Sequence, residues 1–256
     1  MADVGKTLAE AIRRLMLNSL ARDEALLETA RTIWDGLADY GTVGQYAIRL
    51  GDLLSVALTE TITADALPDG NLDKTLALEI LRPVLREQHL RIANAAERVQ
   101  TDLNRAAGLG LKAVRPELNR RRLDGLAAKL SSYGSFENAA WVLGEPIINW
   151  SQNVVDDAVR VNVAAHAAAG LHPRVERISD SQDCPWCMER AGIYAYPVDA
   201  EAYRRHERCR CLVLFTPRKE PESDRSTRIL YAAAERKARD DRIQRVLDTE
   251  ERIRRG

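Results

Sequence analysis

Four cysteines and one histidine carry the chemistry this sequence offers. The cysteines stand as Cys184-Pro185-Trp186-Cys187 and as Cys209-Arg210-Cys211, the second pair led by His206-Glu207-Arg208. The 256 residues contain no other cysteine. Cys-x-x-Cys presents two thiolates from one turn of backbone, and His-x-x-Cys presents a nitrogen and a third thiolate from the other side. Two such donor pairs joined by a short insert form one tetrahedral cage, for which Zn2+ is the default ion. The expected sulfur ligands are Cys184, Cys187 and Cys209, with His206 as the fourth ligand and Cys211 as the alternative. His206 is preferred because Cys209 and Cys211 are only two apart, on the expectation that alternating residues of an extended segment face opposite ways. A closed four-ligand site is structural and leaves no open place for substrate.

Other uses of the thiols compete with this one. Met1-Ala2-Asp3-Val4 leads straight into an amphipathic pattern with no secretory leader, so a reducing compartment is expected, where disulfides are rare. Cys-Pro-Trp-Cys also resembles the Cys-Pro-Tyr-Cys of glutaredoxins. A redox site of that kind needs a strand before it and a long helix after it, and Gly192 ends any helix here within a turn or so. Buried, unmetallated thiols are the third alternative.

The elements that must position these donors are mostly helical. Hydrophobic residues make up 45% of the chain and aromatics only 5%, a bias toward helix. The fold class expected is mainly α: an N-terminal helical region over 1–70, a central helical region over 71–172, a small zinc-stapled α+β module over 173–216, and a linker with a charged C-terminal helix over 217–256. Apolar residues at helical spacing run through the first 38 positions. Gly41-Thr42-Val43-Gly44 reads as a turn, followed by a helix over Gln45–Ile62. Asn71 is the expected cap of a short helix ending before Pro83. Pro83 then opens a long helix to Ala107, stopped by Gly108. Pro116 is expected to open another, to about Ser132, and Ile147 to Ala169 reads as one long helix ended by Gly170. After Pro173 the period changes from 3.6 to 2, with strands expected at 174–178, 193–196 and 212–215 and a short helical stretch from Ala200 to Arg205. So small an α+β core is expected to need a metal for stability. Trp34, Trp141 and Trp150 are expected core anchors, with Trp186 packing over the metal.

Formal net charge is zero but unevenly placed. Residues 1–70 hold six basic and eleven acidic side chains, a balance of −5, whereas residues 82–123 hold ten basic and four acidic, a balance of +6. The basic middle admits an acidic partner, and Arg120-Arg121-Arg122 are the candidate nucleic-acid contacts. No run is long and apolar enough for a membrane span. No phosphate-binding loop, Gly-x-Ser-x-Gly or His-Glu-x-x-His occurs, and Asp156-Asp157 do not make an acid/base pair because neighbours on a helix point about 100° apart. Nothing here indicates an enzyme or a small-molecule substrate.

Four stretches carry a resemblance to a known family: Asn104 to Ala113, Leu143 to Gln152, Val154 to Arg160, and the Cys184 to Cys211 stretch with Ala191-Gly192-Ile193-Tyr194 and Arg204-Arg205-His206. Over roughly residues 70–216 the chain resembles phage minor capsid, or head morphogenesis, proteins of the phage Mu protein F-like group. Glu207 stands where members often carry proline. The resemblance implies a low-copy virion protein acting in head assembly near the portal, in the host cytoplasm during assembly and in the capsid afterwards. It implies the portal or major capsid protein as partners, a role in packaging or delivering DNA, and no catalysis.

Overall fold

Three aspartates set where the long helices begin. In the computed structural model, which describes residues 2–179 and 184–218, Asp23, Asp39 and Asp73 each accept a hydrogen bond from a backbone N–H three residues on. The distances are 3.0 Å for Leu26, 2.9 Å for Thr42 and 2.9 Å for Leu76. Such N–H groups lack a partner inside the helix, so a side-chain acceptor fixes its start. These caps open α2 (Glu24–Trp34), α3 (Tyr40–Thr61) and α4 (Lys74–Ala106), which follow α1 (Ala2–Arg22). Asp23 therefore divides the helical stretch expected over the first 38 residues. Asp73, not Asn71, caps α4.

Two further expectations are corrected at prolines. α4 runs unbroken through Pro83, whose ring lies on its exposed face. The missing hydrogen bond falls where solvent can reach the carbonyl, while buried Ile80, Leu81, Val84 and Leu85 hold the opposite face. Pro116 opens no helix. The segment before Asn119 is tied instead to a later helix: the Val114 N–H donates to Asn162 Oδ1 at 2.8 Å, and Asn162 Nδ2 donates to the Val114 carbonyl at 2.8 Å. Asn119 then caps α5 (Arg120–Leu130). A short α6 (Phe136–Ala139) and a 3-10 turn (Ala140–Leu143) lead into α7 (Glu145–Ala168). Gly108, at φ 65°, and Gly170, at φ 81°, end α4 and α7 as expected. Each supplies the left-handed residue that lets its own N–H and the next one turn back onto the last carbonyls.

The sheet after Pro173 has three antiparallel strands in the order β2-β1-β3: β1 (Arg174–Ile178), β2 (Gly192–Ala195) and β3 (Leu212–Phe215). A helix of six residues, α8 (Pro185–Arg190), lies between β1 and β2 in sequence, and a 3-10 turn (Ala200–Tyr203) follows β2. Val175 pairs with Phe215 and Arg177 with Val213. Val175, Val213 and Phe215 are buried in the same apolar cluster as the helices, so the sheet shares a core with them rather than building its own. The core is continuous across residues 70/71 and 172/173. Fold class matches the expectation: mainly helical, with a small sheet after the helices. The charged C-terminal helix expected from Thr227 to Arg255 lies outside the described residues.

Glycine explains why α3 can pack so closely. Gly41-Thr42-Val43-Gly44 is not a turn; Asp39 and Thr42 cap each other there and start the helix. A Cβ on Gly44 would lie 2.6 Å from Leu212 Cδ2, and one on Gly51 would lie 2.9 Å from the Cα of Ile148. Bare backbone at these two points lets β3 and α7 seat against α3. Trp150 is buried as expected, but Trp34 and Trp141 are about half exposed. Trp34 is the last residue of α2, and Trp141 is covered only in part, by Tyr133 edge-on and by Lys129 over its ring.

Candidate metal centre

The donors arrive from two pieces of backbone. Cys184 stands at the cap of α8 and Cys187 one turn in, so both sulfurs face the same side. His206, Cys209 and Cys211 lie on the segment from the 3-10 turn to β3. Arg208 takes a left-handed conformation at φ 59° and turns this segment back. Cys184 is half-buried, and Cys187, Cys209 and Cys211 are buried.

Two triads result, and they share Cys187. Cys184, Cys187 and His206 bring their ligand atoms within 4.8 Å of one another, as do Cys187, Cys209 and Cys211. The His206 Nε2 lies 2.9 Å from the Cys187 sulfur and 3.4 Å from that of Cys184. In a tetrahedral zinc site a sulfur–nitrogen edge is about 3.5 Å and a sulfur–sulfur edge about 3.8 Å. The donor set therefore fits a metal ion. The imidazole is also correctly oriented. His206 Nδ1 meets the carbonyl oxygen of Glu207, which can only accept. Nδ1 therefore carries the proton, and Nε2 turns a lone pair toward the sulfurs, the arrangement typical of a ligating histidine.

The five sequence-predicted donors are thus gathered in one place. The reason given for setting Cys211 aside is corrected: residues two apart in an extended chain share a face, and the Cys209 and Cys211 thiols lie together. The Cys209 thiol is held well below the usual range, first by the hydrogen bond from Cys211 and then by the charges of Arg205 and Arg177. Cys211, which gives that hydrogen bond, is pushed up. Cys187 is pushed up chiefly by burial. These thiols compete for protons that a divalent ion would displace.

One stripe of α7 grips the donor segment. Glu145 pairs with Arg210 at 2.8 and 3.0 Å, Asn149 Nδ2 donates to the His206 carbonyl at 3.2 Å, and Asp156 pairs with Arg205 at 2.7 Å through both oxygens. Positions 145, 149 and 156 fall on one helical face. Arg205 also donates to the Cys211 carbonyl at 2.8 Å. Trp186 stands edge-on to His206, ring centroids 5.0 Å apart, as expected of a residue covering the site. The sequence reading missed Asp156, Arg205, Arg177 and Arg210. The available signal was an aspartate on the apolar face of α7 and arginines crowded among the cysteines.

The remaining candidates sit elsewhere. Arg120 and Arg121 are exposed at the start of α5, whereas Arg122 is engaged with Asp157 at 2.7 Å. Asp157 also takes Arg160 at 2.7 Å, so Asp156 and Asp157 serve different partners, as their angular separation requires. The other buried histidines are structural. His89 packs edge-on to Trp150, and His166 lies between the Asn162 carbonyl and Asn104 Oδ1 at 2.7 and 2.9 Å. The strand–helix–strand frame of a redox Cys-x-x-Cys is not present among the described residues: the sheet is antiparallel and α8 spans six residues.

No family model, curated protein or solved structure matches the chain. No described helix is long and apolar enough to cross a membrane.

Proposed function

We propose that the chain is a phage minor capsid protein, a structural component present in few copies that acts in head morphogenesis near the portal. One observation carries the reading. The Cys184-to-Cys211 stretch, the most specific part of the resemblance, gathers its five soft donors into two triads that share Cys187 and keys their segment into α7. Cys184, Cys187, His206 and one of Cys209 and Cys211 would hold the ion, with zinc favoured by the sulfur-rich set. The ion would supply rigidity rather than reactivity: it would lock the donor segment onto α7 and fix the surface of the sheet for docking. Portal or major capsid protein is the proposed partner, and the virion the proposed location. Exposed Arg120 and Arg121, for which no ion pair is found among the described residues, support a contact with packaged DNA.

The test is quantitative mass spectrometry of particles purified from the phage or induced prophage that encodes the chain. A few copies per particle, co-purifying with portal protein from disrupted heads, are expected. Particles that lack the protein, made at normal yield when its gene is deleted, would reject the proposal. The second reading is a zinc-dependent nucleic-acid-binding protein with no virion role. It rests on the same two arginines and requires binding to free DNA that weakens steeply with salt.

A further inference from the structure

Arg177 is out of place by ordinary rules. It sits on the inner face of β1, two residues from Val175 and opposite Val213, and is 1% exposed. A guanidinium so deep is normally matched by a carboxylate, because a buried charge without an opposite one costs several kcal/mol. Among the described residues no carboxylate pairs with it. Its Nη1 donates to the carbonyls of Ala202 and Arg204 at 3.0 and 2.6 Å, its Nη2 donates to the Cys209 sulfur at 3.6 Å, and its Nε has no partner. The ring of Trp186 lies 5.5 Å from the guanidinium carbon. Carbonyls and a ring face orient a cation but do not neutralise it.

The charge is matched once the donors hold a metal. Three thiolates, a neutral His206 and one divalent ion carry one net negative charge. Arg177 and Arg205 add two positive charges around Cys209, and Asp156, which pairs with Arg205, adds one negative. The buried group is then neutral. Without a metal, only an anionic Cys209 sulfur, the atom to which Arg177 donates, would match this cation; with every thiol neutral or in a disulfide, the same group retains an unmatched cation.

We infer that Arg177 is the counter-cation of the sulfur–metal centre, a positioning residue that sets metal affinity and sulfur electronics without touching the ion. This rests on the metal-binding part of the proposed function and is independent of the virion role. A guanidinium donating to a thiolate withdraws electron density from the sulfur and lowers the free energy of the bound state. Without it, the buried anionic centre loses its match.

The test uses the full chain with Co2+ as a spectroscopic stand-in and Zn2+ in competition with a chromogenic chelator. Wild type should show thiolate-to-cobalt charge-transfer bands. Arg177→Met should weaken Zn2+ binding by about ten- to a hundredfold, as loss of an outer-shell partner does, and move the charge-transfer band to longer wavelength. Arg177→Lys, which keeps the charge, should recover much of the affinity. If Arg177→Met does not fold, Arg177→Gln decides. It keeps a donor for the two carbonyls but not the charge, and should show the same loss. A folded Met or Gln variant with affinity within about twofold of wild type and an unmoved band overturns the inference. Wild-type protein without thiolate-to-cobalt bands removes the metal centre and this inference together, while leaving the virion experiment to be judged separately.

Discussion

Asp156→Asn is the most informative single change, because it removes one charge from a buried pair while keeping side-chain volume. The side chains of Asp156 and Arg205 are 1% and 6% exposed, and two contacts of 2.7 Å join them. Breaking a pair this deep costs about 3–5 kcal/mol, mostly because the remaining charge stays buried without an opposite one. For a folded unit of this size, that is a fall of roughly 6–20 °C in melting temperature. Arg205 also donates to the Cys211 carbonyl and approaches the Cys209 sulfur, so zinc affinity should fall with stability. The assay is thermal unfolding by circular dichroism at fixed zinc activity, with affinity measured in parallel. Adding Arg205→Met should recover part of the lost stability, since removing both charges leaves none unmatched, but should not recover zinc affinity. A single variant that melts within about 2 °C of wild type, equivalent to less than about 1 kcal/mol, would show that the pair does not hold the donor segment.

Three other outcomes follow from the geometry. Gly51→Ala should destabilise by about 1–3 kcal/mol despite alanine's better helix propensity, because its Cβ would meet the Ile148 backbone at 2.9 Å. Gly125→Ala in α5, where a Cβ meets nothing within 4 Å, should instead stabilise by up to about 1 kcal/mol; denaturant midpoints that move in the same direction for both would refute the close-approach argument. Cys187→Ser removes the donor common to both triads and should abolish cobalt charge-transfer bands while leaving most helical signal; unchanged bands would place the metal elsewhere. Burial lowers the pKa of His89 and His166 below the ordinary histidine value. The folded state therefore binds fewer protons than the unfolded one, and stability is fully present above the usual histidine pKa and lost as pH falls below it. Melting temperature should drop between pH 7 and pH 5, less so in a His89→Gln/His166→Gln variant; an identical pH dependence in that variant would reject the assignment.

The donor cluster was legible because thiols and imidazoles are rare, and their spacing has few meanings. The strand at 174–178 was legible because its alternation is the footprint of one buried face, and that at 212–215 because it is a short run of strand-forming apolar residues. The start of α3 was misread at Gly41 and Gly44, since glycine signals a turn locally and a close contact only when its distant neighbour is known. Pro83 misled for a related reason: whether a proline breaks a helix depends on which face it occupies and how much the other face buries. Asp156, Arg205 and Arg177 were overlooked because a charge's partner is set by tertiary placement. Preferring His206 to Cys211 by facing direction failed on the strand geometry itself.

Asp156 and Asp157 occupy consecutive peptide units of one rod, yet one leans toward the sulfur cage and the other toward α5. Axially they are about 1.5 Å apart. Any twist or slide of α7 felt at Arg122 is therefore felt at Arg205 almost undiminished. Substitutions on the two sides should not add as independent events, and a load applied to the exposed arginines of α5 has a short mechanical route to the cage.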